Sequence, residues 1–95
     1  MSAATQSLRV YQDLADWYER QAQPQLRDRF LLLAADAALS SGDADEAERL
    51  RQHLLQLSPH HMLKPFASFA QALRSPDVQG YLGDMRDKYP LAKAT

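Results

Sequence analysis

The chain has 95 residues, which is the size of a single domain. It contains no cysteine, so disulfides, thiolate zinc sites and thiol nucleophiles are excluded. Eleven basic and twelve acidic residues give a formal net charge of -1, which argues against a function that depends mainly on electrostatic attraction to nucleic acids or membranes.

The two halves of the chain carry opposite charge. Residues 1–48 hold nine acidic and four basic side chains, a net charge of -5, whereas residues 49–95 hold seven basic and three acidic ones, a net charge of +4. Such an asymmetry can orient a domain against a partner, although solvated helix faces are the simpler explanation.

No targeting or membrane segment is expected. The N-terminal residues lack a basic stretch followed by an apolar run, so a secretory signal is not predicted. The longest apolar run, 30–35, is far shorter than the ~20 residues that span a bilayer. Together with the missing cysteines, these features predict a cytoplasmic protein without a membrane span.

The first predicted element is a helix over 5–23. Its apolar residues recur at spacings of three and four, which is typical of one amphipathic face: Leu8, Tyr11, Leu14, Ala15, Tyr18 and Ala22. Val10 and Trp17 widen this face. Trp17 either closes a core or marks a partner surface, because tryptophan is common at interface hot spots.

A second helix is predicted over 24–41, since Pro24 suits a first helical turn. Apolar residues on several of its faces indicate a central helix that is contacted from more than one side. Gly42 follows as a left-handed stop. Asp43 then caps a third helix, with Glu46 three residues on as in a capping box, and this helix runs to about Leu57, before Pro59.

The remaining residues predict two shorter helices. Pro65 opens the fourth, which is expected to reach Leu73, and Pro76 lies in the first turn of the fifth, which is expected to reach about Tyr89 and to stop at Pro90. No alternating run of β-branched residues predicts a strand. We therefore expect one all-α domain over 1–95, with about five short antiparallel helices and frayed ends at 1–4 and 91–95.

The third helix carries a family resemblance. Gly42, Asp43, Ala47 and Pro59 stand in the register of the second half of a tetratricopeptide (TPR) repeat, and the full unit would cover about 28–61. The chain thus resembles a TPR-like helical repeat with one clear unit, which implies packing as helical hairpins. On the second predicted helix, the family's packing positions are occupied by Leu31, Ala34, Ala35 and Ala38. The chain departs from the family at Arg51, where an aromatic residue is usual, and at Leu54, where alanine is usual.

The resemblance implies a binding scaffold, because TPR proteins receive a peptide or partner helix in a groove lined by first helices. By register, the exposed side of the second predicted helix would present Arg29, Leu32, Asp36, Leu39 and Ser40. Burial of Leu32 and Leu39 beneath a neighbouring helix is an equal alternative. The candidate partner-binding residues are Arg29, Leu32, Asp36 and Leu39 of this side, together with Trp17.

The chemical candidates are weak by comparison. His53, His60 and His61 lack the spacing of a metal site and are expected to be polar surface residues. No serine lies in a nucleophile elbow. The paired acids Asp13/Asp16 are interpreted as surface charge. We expect no catalytic, cofactor-binding or metal site, no cofactor and no small-molecule substrate.

The leading hypothesis is a non-catalytic protein–protein interaction module, an adaptor, small chaperone or assembly subunit. Its partner is another protein or a second copy, since a stack of repeats usually needs about three units for stability. One alternative is a nucleic-acid-binding helical domain that uses the basic C-terminal half, although its cations are scattered over several elements. The other is a self-contained helical bundle with a structural role.

Overall fold

A computed structural model describes residues 3–88, with side chains from Gln6 onward. This part of the chain is all-α, as predicted, and it forms no strand. Its helices are α1 (Ala3–Arg20), α2 (Pro24–Ser40), α3 (Ala44–Leu57), α4 (Phe69–Ala72) and α5 (Pro76–Lys88). Ala3 and Ala4 lie within α1. The stop expected at Pro90 and the ends expected to fray at 1–2 and 91–95 lie outside the described residues.

Helix α2 lies at the centre of the fold, as its apolar pattern predicted. It packs against α1, α3 and α5, and its buried apolar residues point in every direction: Phe30, Leu31, Leu32, Leu33, Ala34, Ala35, Ala37 and Ala38. The Phe30 ring stacks on two rings of α1, with centroids 6.1 Å from Tyr11 and 5.5 Å from Tyr18. This aromatic stack and the alanine-rich faces of α2 form the middle of the core.

The turns on either side of α2 have the same geometry. Each contains one residue with a left-handed backbone, Ala22 at φ 57° and Gly42 at φ 87°. The next amide, of Gln23 or Asp43, donates to the carbonyl five residues back at 3.0 or 2.9 Å. These bonds form the Schellman motif, which satisfies carbonyls at a helix end and reverses the chain. As a result, α1 and α3 both run antiparallel to α2.

The start of α3 follows its sequence signals. The Asp43 side chain accepts a hydrogen bond from the Glu46 amide at 3.1 Å, which confirms the predicted cap. Ala47, Leu50 and Leu54 are buried on the face that meets the core. A carboxylate at this end also complements the helix dipole.

The predicted fourth helix over 65–73 is wrong in its first half. Residues 58–68 form a series of turns, and α4 starts only at Phe69, after the Ser68 hydroxyl has accepted a hydrogen bond from the Gln71 amide at 3.0 Å. The reason is a long-range contact, since the carbonyls of Phe66 and Ala67 are bonded to a side chain of α3 rather than to the helix that Pro65 would begin.

Helix α5 closes the fold. Val78, Leu82 and Met85 recur at spacings of four and three and are buried, and the helix packs against α2. No helix of the described residues is both long enough and apolar enough to cross a membrane.

Candidate partner-binding surface

One side of α2 faces a groove between α1 and α5. The residues on this side recur at spacings of three and four, and we call them the groove side of α2: Arg29, Leu33, Asp36 and Ser40. Part of the groove is a pocket of about 220 Å³, to which Ser7 and Tyr11 contribute from α1 and Arg86 from α5. Of the predicted candidates, Asp36 lines this pocket, and Arg29 lies two turns earlier on the same side of α2 by helical spacing.

An ion pair closes one wall of this groove. The Arg86 guanidinium donates to Asp36 through two nitrogens, Nε to Oδ2 at 3.1 Å and Nη2 to Oδ1 at 2.6 Å. This fork geometry fixes α5 against α2. Burial raises the pKa of the nearby Tyr11, and the negative charge of Asp36 raises it further, whereas the charge of Arg86 acts in the opposite direction. Tyr11 therefore keeps its phenolic proton at neutral pH.

Leu32 and Leu39 do not lie open in the groove. Leu32 is completely buried, so the expectation that it is exposed is wrong and the burial alternative holds. Leu39 is partly buried and packs against the core. The physical reason is the rotation of about 100° between neighbouring residues of a helix, which turns Leu33 towards the pocket and Leu32 towards the interior.

Trp17 lies on the surface rather than in the core. Its side chain is 47% exposed, and its ring meets the Tyr18 ring edge-on with centroids 4.9 Å apart. Val10 and Leu14, at spacings of seven and three residues before it, lie on the same side of α1 and are partly buried. We call Val10, Leu14 and Trp17 the α1 stripe. Ser7, one turn before Val10, lines the groove pocket, so the stripe continues from the groove.

A second depression lies on the other flank of α1. This α1–α3 cleft has a volume of about 330 Å³, with the buried Leu31 and Leu50 among its lining residues. The α1 wall presents Asp13 and Asp16, and the α3 wall presents Arg49 and His53. Arg49 is already paired with Glu46 of its own helix. The two aspartates have no bonded partner among the described residues. The cleft is therefore polar, with two unpaired carboxylates on one side.

Two arginines that sequence reasoning did not single out as binding groups are buried. Arg27 donates to Glu19 at 2.5 Å, to Asp28 at 3.0 Å and to Ser58 at 3.2 Å, and Ser58 donates to Asp28. This network joins the end of α1, the start of α2 and the end of α3. Burial opposes the charge of Arg27, but Glu19 and Asp28 outweigh it, so the pKa of Arg27 lies above its ordinary value.

Arg51 performs a similar task for the turns that follow α3. It donates to Glu48 at 3.1 Å and to the Phe66 and Ala67 carbonyls at 3.2 Å each, while Glu48 accepts from the Phe69 amide. Both arginine networks are satisfied internally, so they stabilise the fold and offer no free group for a ligand. The signal in the sequence was the position of each arginine on an otherwise apolar helix face, such as Arg27 three residues before Phe30.

The histidines are dispersed. His53 and His60 are exposed, while His61 is half-buried and its Nδ1 accepts a hydrogen bond from the Leu63 amide at 3.2 Å. Burial lowers the pKa of His61, and the charge of Asp28 partly offsets this effect. No group of three potential metal ligands comes together in the part of the chain from residue 3 to residue 88.

The basic residues of the second half do not form one free patch in the described part of the chain. Arg51 is buried, and Arg49 and Arg86 are paired with Glu46 and Asp36. These pairs reduce the positive charge that the nucleic-acid alternative would need.

Comparison with known proteins adds no family. No protein-family model matches the chain, and neither a curated protein nor a solved structure shows significant similarity to it. The TPR resemblance therefore rests on the residues of this chain alone.

Proposed function

We propose that the chain is a non-catalytic protein-binding module that receives a partner helix along the α1 stripe and the adjoining groove side of α2. The observation that carries this proposal is Trp17, which is 47% exposed at the end of an apolar row on a regular helix. Large exposed aromatic residues are frequent energetic centres of protein interfaces. A partner that covers the stripe would remove this apolar surface from water.

The position of Trp17 is well suited to binding. Its neighbour Tyr18 stacks on Phe30 with nearly parallel rings, 5.5 Å apart, and this contact ties the end of α1 to the centre of the fold. A side chain presented from a rigid helix loses little conformational freedom when a partner binds.

A TPR-like arrangement of α2 and α3 is part of the proposal. It is supported by Gly42 in the left-handed conformation, by the Asp43 cap and by the complete burial of Ala34, Ala38 and Ala47 at the positions where the family packs closely. In that arrangement α1 would be the second helix of a preceding repeat, and its stripe would lie on the side where a first helix packs. The module would then act as a cytoplasmic adaptor, small chaperone or assembly subunit.

Affinity capture from a native lysate tests the proposal. The wild-type chain is compared with Trp17→Ala and with Leu57→Ala, which removes the other large exposed apolar side chain found between residues 6 and 88, 37% exposed on α3. We expect a specific protein on the wild-type and Leu57→Ala columns and at least tenfold less of it on Trp17→Ala, because loss of a hot-spot residue costs about 2 kcal/mol or more. Circular dichroism checks that both variants are folded. Equal capture by Trp17→Ala, or no specific capture by any of them, would contradict the proposal.

A further inference from the structure

We infer that His61 is an acid-sensitive switch of the turns over residues 58–64: when its ring takes up a proton, it releases the Leu63 amide, and these turns open while the helices stay folded. The inference does not depend on the proposed function. Its basis is the hydrogen bonds that hold the turns, the burial of Leu63 and the charges around the ring.

His61 holds these turns through both its backbone and its ring. Its amide donates to the Ser58 carbonyl at 3.0 Å, and its carbonyl accepts from the Lys64 amide at 3.0 Å. Its ring Nδ1 accepts from the Leu63 amide at 3.2 Å. The backbone bonds are independent of pH, whereas the ring bond needs a neutral ring with a free lone pair at Nδ1. A protonated ring carries an N–H group on both nitrogens, so the bond to Leu63 is lost.

The Leu63 side chain links this bond to the packing of the core. It is completely buried, and it is the only buried residue between residues 58 and 68. An amide that has lost its acceptor regains one from water only if the backbone moves outward. Because Leu63 anchors the turns to the core, such a movement withdraws its side chain and opens them.

Asp28 of α2 is the charged group that acts on the ring, and its negative charge favours the protonated form. Its carboxylate already accepts from the Arg27 guanidinium at 3.0 Å and from the Ser58 hydroxyl. Arg27 is paired in addition with Glu19 of α1. The last turn of α3, residues 54–57, contains no charged side chain. Asp28 therefore attracts the protonated ring, but its oxygens are shared with two other partners.

Burial outweighs this attraction. It has the largest effect on the ring and lowers the pKa of His61 below the ordinary value of 6.5. The other titratable groups of these turns, His60 and Lys64, are exposed. In the open turns the ring is in water and regains its ordinary pKa, so the open form takes up a proton first. The closed turns are therefore fully favoured above pH 6.5 and lose this advantage as the pH falls below that value.

The opening is confined to 58–64 because the next residues are held by a different group. Arg51 of α3 donates to the Phe66 and Ala67 carbonyls at 3.2 Å each. A guanidinium stays charged at every pH at which a histidine titrates. Acid thus releases the first part of the segment and leaves the second part in place, and the hinge lies between them.

Hydrogen exchange of a nitrogen-labelled wild-type chain at about pH 7.5 and about pH 5 tests the switch. After correction for the intrinsic exchange rate, we expect the protection of the Leu63 amide to fall about tenfold at the lower pH, as the lowered pKa of one ring allows. The amides of α2 should keep their protection. The Leu63 amide signal should also move with the same midpoint as the ring signals of His61.

The decisive variant is His61→Asn, because its amide oxygen can accept from Leu63 and does not titrate. The matched control is His60→Asn, which removes the neighbouring exposed ring. We expect the pH dependence of Leu63 protection to disappear in the first variant and to persist in the second.

Constant protection of Leu63 in the wild-type chain, an equal loss of protection in α2, or a Leu63 midpoint that differs from that of the His61 ring would overturn the inference. So would a pH dependence that His61→Asn retains or that His60→Asn abolishes. The comparison of midpoints needs no variant, so it remains decisive even where a substitution prevents folding.

Discussion

The first three helices and the segment 58–75 are held in place by different contacts. Helices α1 and α3 lie on α2 through stacked rings and close-packed leucine and alanine side chains, and their backbone bonds are made within each helix. The segment 58–75 is mostly turns, and an arginine of α3 binds two of its carbonyls. The comparison teaches that regular helices are specified locally, whereas this irregular segment adds to its local turn bonds two distant side chains of α3, Arg51 and Glu48, that bind backbone groups the turns leave free.

Of the substitutions that test this comparison, removal of Arg51 is expected to lower the free energy of unfolding the most. Arg51→Ala removes the hydrogen bonds that the Phe66 and Ala67 carbonyls and the Glu48 carboxylate accept, and loss of such a partly buried, charge-assisted network costs about 1–3 kcal/mol. We expect a large drop in the free energy of unfolding and faster hydrogen exchange in 58–75 than in α1–α3. The control is Arg49→Ala on the exposed side of the same helix, for which we expect a change below about 1 kcal/mol. Uniform exchange in Arg51→Ala would show that the two regions are not held separately.

In the first three helices, the aromatic stack of α1 and α2 has the part that Arg51 has for the segment 58–75. Phe30→Leu retains apolar volume but removes the ring that lies between Tyr11 and Tyr18. We expect a loss of about 1–2 kcal/mol in a urea denaturation, since each aromatic pair contributes about 0.5–1.5 kcal/mol beyond the area it buries. The amides of 58–75 should keep their protection relative to global unfolding. If Phe30→Leu lowered the amide protection of 58–75 more than that of α1–α3, the two regions would not be held by different contacts.

Substitutions in the two turns beside α2 are expected to change the stability by smaller amounts and in opposite directions. Ala22 has φ 57°, which costs a residue with a Cβ about 1 kcal/mol, so Ala22→Gly is expected to stabilise the chain by up to that amount. Gly42→Ala should destabilise it by a similar amount, because a Cβ there would meet no atom within 4 Å and the cost is conformational alone. Thermal denaturation measures both changes. Changes of the same sign would show that the turns are not equivalent.

The smallest expected effect concerns His61. Its pKa lies below the ordinary value of 6.5, chiefly because burial disfavours the charged ring, so the unfolded chain takes up a proton first as the pH falls. The stabilisation by the neutral ring is complete above pH 6.5 and is lost as the pH falls below that value. We expect His61→Asn, whose amide oxygen can accept from Leu63, to show a flatter dependence of unfolding free energy on pH. His53→Asn, on an exposed side chain, should leave the slope of the wild-type chain unchanged.

The same difference between contacts close in sequence and contacts far apart in sequence explains which features could be predicted. The bounds of α2 and α3, the Gly42 stop and the Asp43 cap follow from residues close in sequence, and the structure confirms them. The late start of α4 could not be predicted, because Arg51 lies fifteen residues from the Phe66 carbonyl that it binds.

The candidate surface shows the same limit. The periodicity of α1 placed Trp17 at the edge of the apolar face, but it did not decide between core and surface. Whether Leu32 or Leu33 of α2 faces the groove depends on where α1 and α5 pack, and no local sequence pattern contains that information.

The most direct test of the central claim is the indole N–H resonance of Trp17 in a nitrogen-labelled sample. The chain has one tryptophan, so the signal needs no assignment by mutation. The protein captured from the lysate is added in steps while binding is followed independently by calorimetry. We predict that the indole signal shifts or broadens in proportion to the bound fraction, because the partner covers the α1 stripe. Saturated binding with an unmoved indole signal would place the interface elsewhere and contradict the account.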